Sequence, residues 1–353
     1  MWRLLVQVSR LTVDQMRLFG VTHNSSALSV TLRSRAGASN VNRHWIGGIR
    51  VVMGDRYNPA PFCLHPPCGG PVSDRIAVMP QYLLPKQALT RFAGVVAGLQ
   101  GGPFTTRLIR WFVGRYQVNM AEAADPDVRS YTSFNAFFTR ALKGDARPLA
   151  TADLLCPVDG AISQFGPIEH DQIFQAKGHH YSTTALLGGD AALATRFENG
   201  AFATLYLSPR DYHRIHMPCA GRLLRMVYVP GALFSVNPTT ARSVPGLFAR
   251  NERVVCIFES SHGPLAMVLV GATVVGSMAT VWHGLVNPPR SPAPRAWDYA
   301  DKTVALEQGA EMGRFLLGST VVLLWPKGPL AFDPRWAPGR AVRMGEKMAE
   351  RMM

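Results

Sequence analysis

Apolar residues change their spacing along the chain, and the change divides it. From Gln81 to Gly98 they recur at helical intervals, which predicts a partly amphipathic helical segment. Thr105 to Tyr116 predicts a second helix, with Leu108, Ile109, Phe112, Val113 and Tyr116 on one face. Arg107 and Arg110 lie on its opposite face, with Trp111 at the boundary. Ser130 to Leu142 predicts a third, capped at Thr132 or Ser133, and Arg147-Pro148 ends the helical region. Beyond Leu155 the pattern turns to short β-branched and apolar runs punctuated by Gly and Pro: Ala161-Ile-Ser, Ala201–Leu207, Leu223–Val229 and Thr320–Trp325. The longest apolar stretch, Leu265–Val281, is too short and too rich in Val, Thr and Gly for a membrane span. With Val254–Glu259 before it and Ser261-His-Gly-Pro between, it predicts a buried β-hairpin. The expected fold class is α+β, a helical front ahead of a β-rich, sandwich- or barrel-like body.

Residues 1–78 have another texture. They hold nine arginines and three aspartates, with no lysine or glutamate. Arg3, Arg10 and Arg17 recur opposite Leu4, Val8, Leu11 and Leu18, enough for a short basic amphipathic helix, and Ser, Asn, Gly and Pro clusters follow. An Arg-rich, acid-poor leader resembles a transit peptide; an extension upstream of a later start, for example at Met79, is the preferred reading. No packed fold is expected there. The expected divisions are a basic extension (1–78), a helical region (79–150), a β-rich domain (151–330) and a C-terminal tail (331–353).

The whole chain of 353 residues carries a formal charge of +14, which suggests an anionic partner. No dense basic block or aromatic–basic alternation points to nucleic acid. The five cysteines, Cys63, Cys68, Cys156, Cys219 and Cys256, are scattered and odd in number, which argues for a reducing compartment rather than a disulfide framework. Cys63, His65 and Cys68 lack a second ligand pair, so no zinc site is expected.

Three places could carry chemistry. Asp159 occupies a tight Asp-Gly turn, which alone is ordinary turn chemistry. Ser208-Pro-Arg-Asp-Tyr-His-Arg-Ile-His puts His213 and His216 beside Asp211 and two arginines; on a turn the two rings would share a side, on a strand they would not. Two histidines so close favour a catalytic base over a pair of core residues. Finally, Ser319 follows Gly318 at the head of an apolar run. A serine needs a base to become nucleophilic, and a glycine carbonyl with no Cβ is open to attack. Asp159, His216 and Ser319 together offer acid, base and nucleophile.

From about Gln81 to Trp325 the chain closely resembles the bacterial-type phosphatidylserine decarboxylases. The resemblance rests on ordered blocks: Gln175-Ala-Lys-Gly-His-His-Tyr-Ser, Leu207-Ser-Pro-Arg-Asp-Tyr-His-Arg-Ile-His-Met-Pro-Cys and Tyr228-Val-Pro-Gly-Ala-Leu-Phe-Ser-Val-Asn. Leu247-Phe-Ala-Arg-Asn-Glu-Arg-Val, Gly271-Ala-Thr-Val-Val-Gly-Ser and Gln308-Gly-Ala-Glu-Met-Gly-Arg-Phe-Leu-Leu-Gly-Ser-Thr-Val complete the set. His180, where Asn is expected, and Pro238, where some relatives carry His, depart from the pattern.

The resemblance implies that Ser319 adds to the Gly318 carbonyl and that the resulting ester eliminates. The bond then breaks to give a β chain (1–318) and an α chain (319–353) headed by a pyruvoyl group made from Ser319. His216 is implied as base, Asp159 as the residue holding its tautomer, and His213 as the proton carrier in decarboxylation. The cofactor so formed would take the serine amine of phosphatidylserine as a Schiff base and accept electrons as carbon dioxide leaves, giving phosphatidylethanolamine. An apolar pocket for the departing carboxylate is expected around Leu233 and Phe234. Residues 81–120 are expected on an anionic bilayer surface, in a peripheral protein at the cytoplasmic face of the inner membrane. Oligomerisation beyond the α–β pair is left open.

A serine hydrolase using the same Asp159-His216-Ser319 triad without self-cleavage is the alternative, although Ser319 lacks the Gly-x-Ser-x-Gly elbow. A non-enzymatic basic binding protein would leave the histidine pair and the Gly-Ser-Thr block unexplained.

Overall fold

The computed structural model describes residues 72–351 apart from 275–276 and 317–318. The basic leader helix and the Cys63/His65/Cys68 group therefore lie outside the described residues, as does Gly318. Three helices open the described chain: α1 (Val72–Leu83), α2 (Lys86–Gly98) and α3 (Pro103–Tyr116). The first corrects the expected division at residue 78, since Val72 to Val78 are already helical. Its anchorage is tertiary: Val78 is buried, and Asp74 pairs with Arg242 at 3.0 Å and Lys177 at 3.8 Å. In α3 the predicted apolar face packs inward, with Ile109 and Phe112 buried against the aromatics of α4 (Phe134–Phe138). Ser133 caps α4 by accepting a hydrogen bond from the Ala136 amide at 3.1 Å. That helix is shorter than expected because the chain leaves it to bridge Ala123 through Leu142.

The body is built from antiparallel sheets. Its central strands are β1 (Gly160–Pro167), β2 (Ala201–Leu207), β4 (Gly221–Val229), β5 (Arg253–Ser260), β6 (Gly263–Val270) and β9 (Ser319–Trp325), with β3 (Arg214–His216), β7 (Met278–Thr280) and β8 (Glu311–Phe315) in a second sheet. The central sheet runs β4-β5-β6-β9-β2-β1, extended at its ends by short strands. The predicted hairpin is β5–β6, in register from Arg253↔Val270 to Ser260↔Gly263. Strand β9 lies between β6 and β2, so both of its edges are paired. Its side chains alternate between two cores. Val321, Leu323 and Trp325 join one with Ile215, Met312 and Phe315, while Val322 and Leu324 join the other with Phe202 and Val268. Burial on both faces explains why this strand reads as an unbroken apolar run. Each fully buried Val or Leu contributes about 1.5–3 kcal/mol relative to exposure.

Residues 331–351, expected as a tail, are part of this body. Leu330–Phe332 and Lys347–Arg351 pair with each other, Lys347–Arg351 also pairs with Leu154–Leu155, and Val342 pairs with Gly160. Trp336, Met348 and Ala349 are buried in the first core. The strands are short and broken by Pro and Gly, so their order comes from partners far away in sequence.

Candidate active site

Backbone pairing brings the predicted catalytic segments together. Ser319 opens β9 opposite Leu207, the residue before the histidine segment. On the other side of the junction, β8 pairs with β3, with Glu311 opposite His216, and the Phe315 amide donates to the His213 carbonyl at 3.0 Å. The strands leading into and out of the Gly318–Ser319 bond are thus both tied to the stretch from Leu207 to His216.

That stretch starts as a turn closed by Asp211, whose carboxylate accepts from the Ser208 amide at 2.6 Å and the Ser208 hydroxyl at 2.7 Å. It then extends, and the two histidines enter different surroundings. His216 Nδ1 is 2.8 Å from the Gly309 carbonyl, and its Nε2 is 3.1 Å from the Tyr212 hydroxyl. A carbonyl can only accept, so Nδ1 carries the proton and Nε2 keeps its lone pair, toward which Tyr212 donates. Gly309 presents that carbonyl from a left-handed backbone (φ +80°), and a Cβ there would lie 2.5 Å from Leu149.

His213 adopts the same tautomer by the same reasoning, with Nδ1 donating to the Asp211 carbonyl at 2.8 Å. Its ring is fully buried, packs on Phe138 at 4.0 Å, and leaves Nε2 without a hydrogen-bond partner among the described residues. Burial depresses the pKa of both rings. For His213 it falls to about 3, and for His216 burial outweighs the Gly309 hydrogen bond and the nearby Glu311 and Asp159 carboxylates that favour the cation.

Asp159 is held by other partners. Arg147 grips it with Nε at 2.9 Å and 3.1 Å and Nη2 at 2.5 Å, and the Met344 amide donates to Oδ1 at 2.9 Å. Arg147 also binds Glu122 at 2.7 Å. No hydrogen bond joins Asp159 to His216 among the described residues: the ring's two nitrogens are taken by Gly309 and Tyr212, and the carboxylate is a nearby charge only. The turn glycine beside it has a structural reason: a Cβ on Gly160 would lie 2.3 Å from the Tyr206 carbonyl. Arg147 and Tyr212 were missed as site residues. Tyr212 sits inside the quoted histidine block, whereas Arg147 is a lone arginine with no local signal. Leu233 and Phe234 are buried, and Phe234 meets Tyr82 at 5.1 Å, Lys86 at 4.5 Å and Arg250 at 5.2 Å, a more cationic setting than the expected apolar pocket.

The described residues make an α+β protein, a helical front before a β-rich body, in which the strands flanking a Gly-Ser bond are both tied to a segment bearing two buried histidines. Comparison with known proteins identifies the family. The phosphatidylserine decarboxylase family model matches residues 134–350, and a model described as PSD matches residues 76–117. The chain is 74% identical over 276 residues to the phosphatidylserine decarboxylase proenzyme of Albidiferax ferrireducens, covering 78% of this chain and 97% of that protein. It is 73% identical over 282 residues to the protein of that name from Polaromonas naphthalenivorans, covering 79% and 98%. For that from Dechloromonas aromatica the identity is 70% over 277 residues, covering 78% and 98%. The chain belongs to the phosphatidylserine decarboxylase family.

Proposed function

We propose that this chain is a self-processing decarboxylase that converts phosphatidylserine to phosphatidylethanolamine and carbon dioxide. The observation that carries the reading is the tie of both strands flanking Gly318–Ser319 to the segment bearing His213 and His216. In maturation the Ser319 hydroxyl attacks the Gly318 carbonyl, and its proton passes to Nε2 of His216, the unprotonated nitrogen, through the Tyr212 hydroxyl that donates to it. Asp159 stabilises the resulting imidazolium through space, with Arg147 and the Met344 amide fixing its carboxylate.

The pyruvoyl group made from Ser319 fits the chain because the residue heads a strand paired on both sides, a rigid mount for a reactive carbonyl. Once formed, it supplies an electron sink for the decarboxylation. The substrate's ammonium must lose a proton before its nitrogen is nucleophilic. Nε2 of His213 has no other partner among the described residues and can accept that proton, then return it to the α-carbon after carbon dioxide leaves. A substrate carboxylate beside the ring would favour its protonated form during that interval.

The helical front supports a peripheral membrane position. Of eleven exposed large apolar residues among those described, eight fall between Met79 and Trp111, including Leu83 at 87% exposure and Val95 at 65%. Arg91, Arg107 and Arg110 are exposed on the same helices. Such a surface suits the interface of an anionic bilayer, on our reading the cytoplasmic face of the inner membrane. No helix among the described residues is long and apolar enough to cross a membrane.

Intact mass of the purified protein tests the proposal. The expected products are a large chain and a fragment of 35 residues, 319–353, blocked at its N-terminus. Ser319→Ala should remain whole and inactive. An active preparation consisting of one uncut chain would refute the pyruvoyl assignment and favour the hydrolase reading.

A further inference from the structure

Beside the candidate active site is a cleft of about 380 Å³ whose wall includes Arg140, Arg214 and Arg314. Arg140 is only 5% exposed, and its Nε finds no hydrogen-bond partner among the described residues. Its Nη2 reaches the Arg210 carbonyl at 3.4 Å, and its guanidinium lies 5.5 Å from the Phe137 ring. Arg214 and Arg314 share one carboxylate, Glu311, at 2.8 Å and 2.6 Å. Asp125 is the acid on the wall itself. Two of the three guanidiniums thus share Glu311, while the most buried, Arg140, makes no ion pair among the described residues and feels the carboxylates of Asp159, Asp211 and Glu122 only through space.

We infer that this cleft binds a phosphate-bearing anion, and that it takes the phosphodiester of the substrate headgroup; the second half rests on the function proposed above. A tetrahedral anion presents several acceptor oxygens at once, which suits converging arginine forks. An anion there also relieves the cost of holding Arg140 out of water without a directly paired carboxylate. The position fits. Arg140 follows Phe138, the ring against His213, by two residues, and Thr139 between them accepts from Arg214 Nε at 2.9 Å. A headgroup phosphate in the cleft would bring its serine toward His213.

Arg314, at the rim with a 35% exposed side chain, is the variant least able to disturb the fold. Arg314→Met should still cleave itself, a step that needs no lipid. Its KM for short-chain phosphatidylserine in detergent micelles should rise at least about tenfold, with kcat falling far less. Inorganic phosphate should inhibit the unaltered enzyme competitively and the variant weakly; Arg140→Met should behave alike and more severely. Calorimetry with inorganic phosphate on uncut Ser319→Ala protein reads the cleft without any catalysis. Loss of phosphate binding with unchanged KM would assign the site to free phosphate and overturn the headgroup role. Unchanged phosphate binding and unchanged KM in Arg314→Met and Arg140→Met would overturn the site altogether, leaving the decarboxylase assignment intact. Phosphate binding by a protein that never decarboxylates would do the reverse.

Discussion

His213 makes a measurable demand on stability. Its ring is buried as the neutral form, so its pKa falls from the ordinary 6.5 to about 3. The unfolded chain binds this proton more tightly than the folded one. The stabilisation is therefore complete above pH 6.5 and is lost as pH falls toward the folded value. At pH 5 the unfolded ring is almost fully protonated and the folded ring almost fully neutral, which costs about 2 kcal/mol relative to pH 8. For a body of this size that is a fall in Tm of roughly 3–6 °C. Other groups titrate in this window, His216 among them with the same sign, so the comparison must be with a variant. His213→Gln can keep a donor on the Asp211 carbonyl without titrating. Thermal melts of both proteins at pH 8 and pH 5, in the uncut Ser319→Ala background, should show the larger acid loss in the protein that retains His213. Equal losses would mean that the ring is not held neutral, and its assignment as a proton acceptor in the resting enzyme would fall with it.

Arg147→Met should slow self-cleavage sharply and destabilise the protein by about 3–5 kcal/mol, because Asp159, only 7% exposed, loses its cationic partner; near-normal cleavage would remove Asp159 from the maturation step. Self-cleavage followed by gel should be independent of pH above about 6.5 and slow below the depressed pKa of His216, where Nε2 becomes protonated; a rate still climbing through pH 8 would point to a different base. Replacing Leu83, Phe104 and Trp111 together with serine should abolish flotation with anionic liposomes while leaving self-cleavage unchanged, and neutralising Arg107 and Arg110 should weaken binding in a salt-dependent way. Undiminished flotation in both variants would move the membrane contact elsewhere.

Where a segment's own pattern decides its structure, the sequence was readable. β9 and the β5–β6 hairpin are β-branched runs between glycines and prolines, and the buried face of α3 follows from its period. The histidine segment was legible as a cluster, but not the divergence of its rings, which depends on the chain extending after the Asp211 turn. What remained hidden depends on distant partners. Val72–Val78 has little periodicity of its own and is held by Arg242 and Lys177. The strands after residue 330 exist because Leu154–Leu155 and Gly160 pair with them. Asp159 was expected on His216 because carboxylates orient histidines in acid-base-nucleophile sets. Its actual partner offers a planar fork that binds both oxygens, a geometry a single imidazole N–H cannot match.

The same long-range pairing explains how a chain could survive being cut at its own active site. Cleavage before Ser319 would free one end of β9 but would leave its ladders to β2 and β6 intact along the strand. Val321, Val322, Leu323 and Leu324 are fully buried, divided between two cores, and stripping them out would cost about 1.5–3 kcal/mol each before any hydrogen bond is counted. Further along, Val342 pairs with Gly160 and the Met344 amide holds Asp159, so the short fragment supplies part of that carboxylate's setting. The two products should therefore co-elute in native size-exclusion chromatography and separate only in denaturant, and a short fragment that dissociates natively would contradict this pairing. On this reading the C-terminal segment has two tasks. It carries the residue that becomes the reactive carbonyl, and through Met344 it holds in place the carboxylate that helps make it.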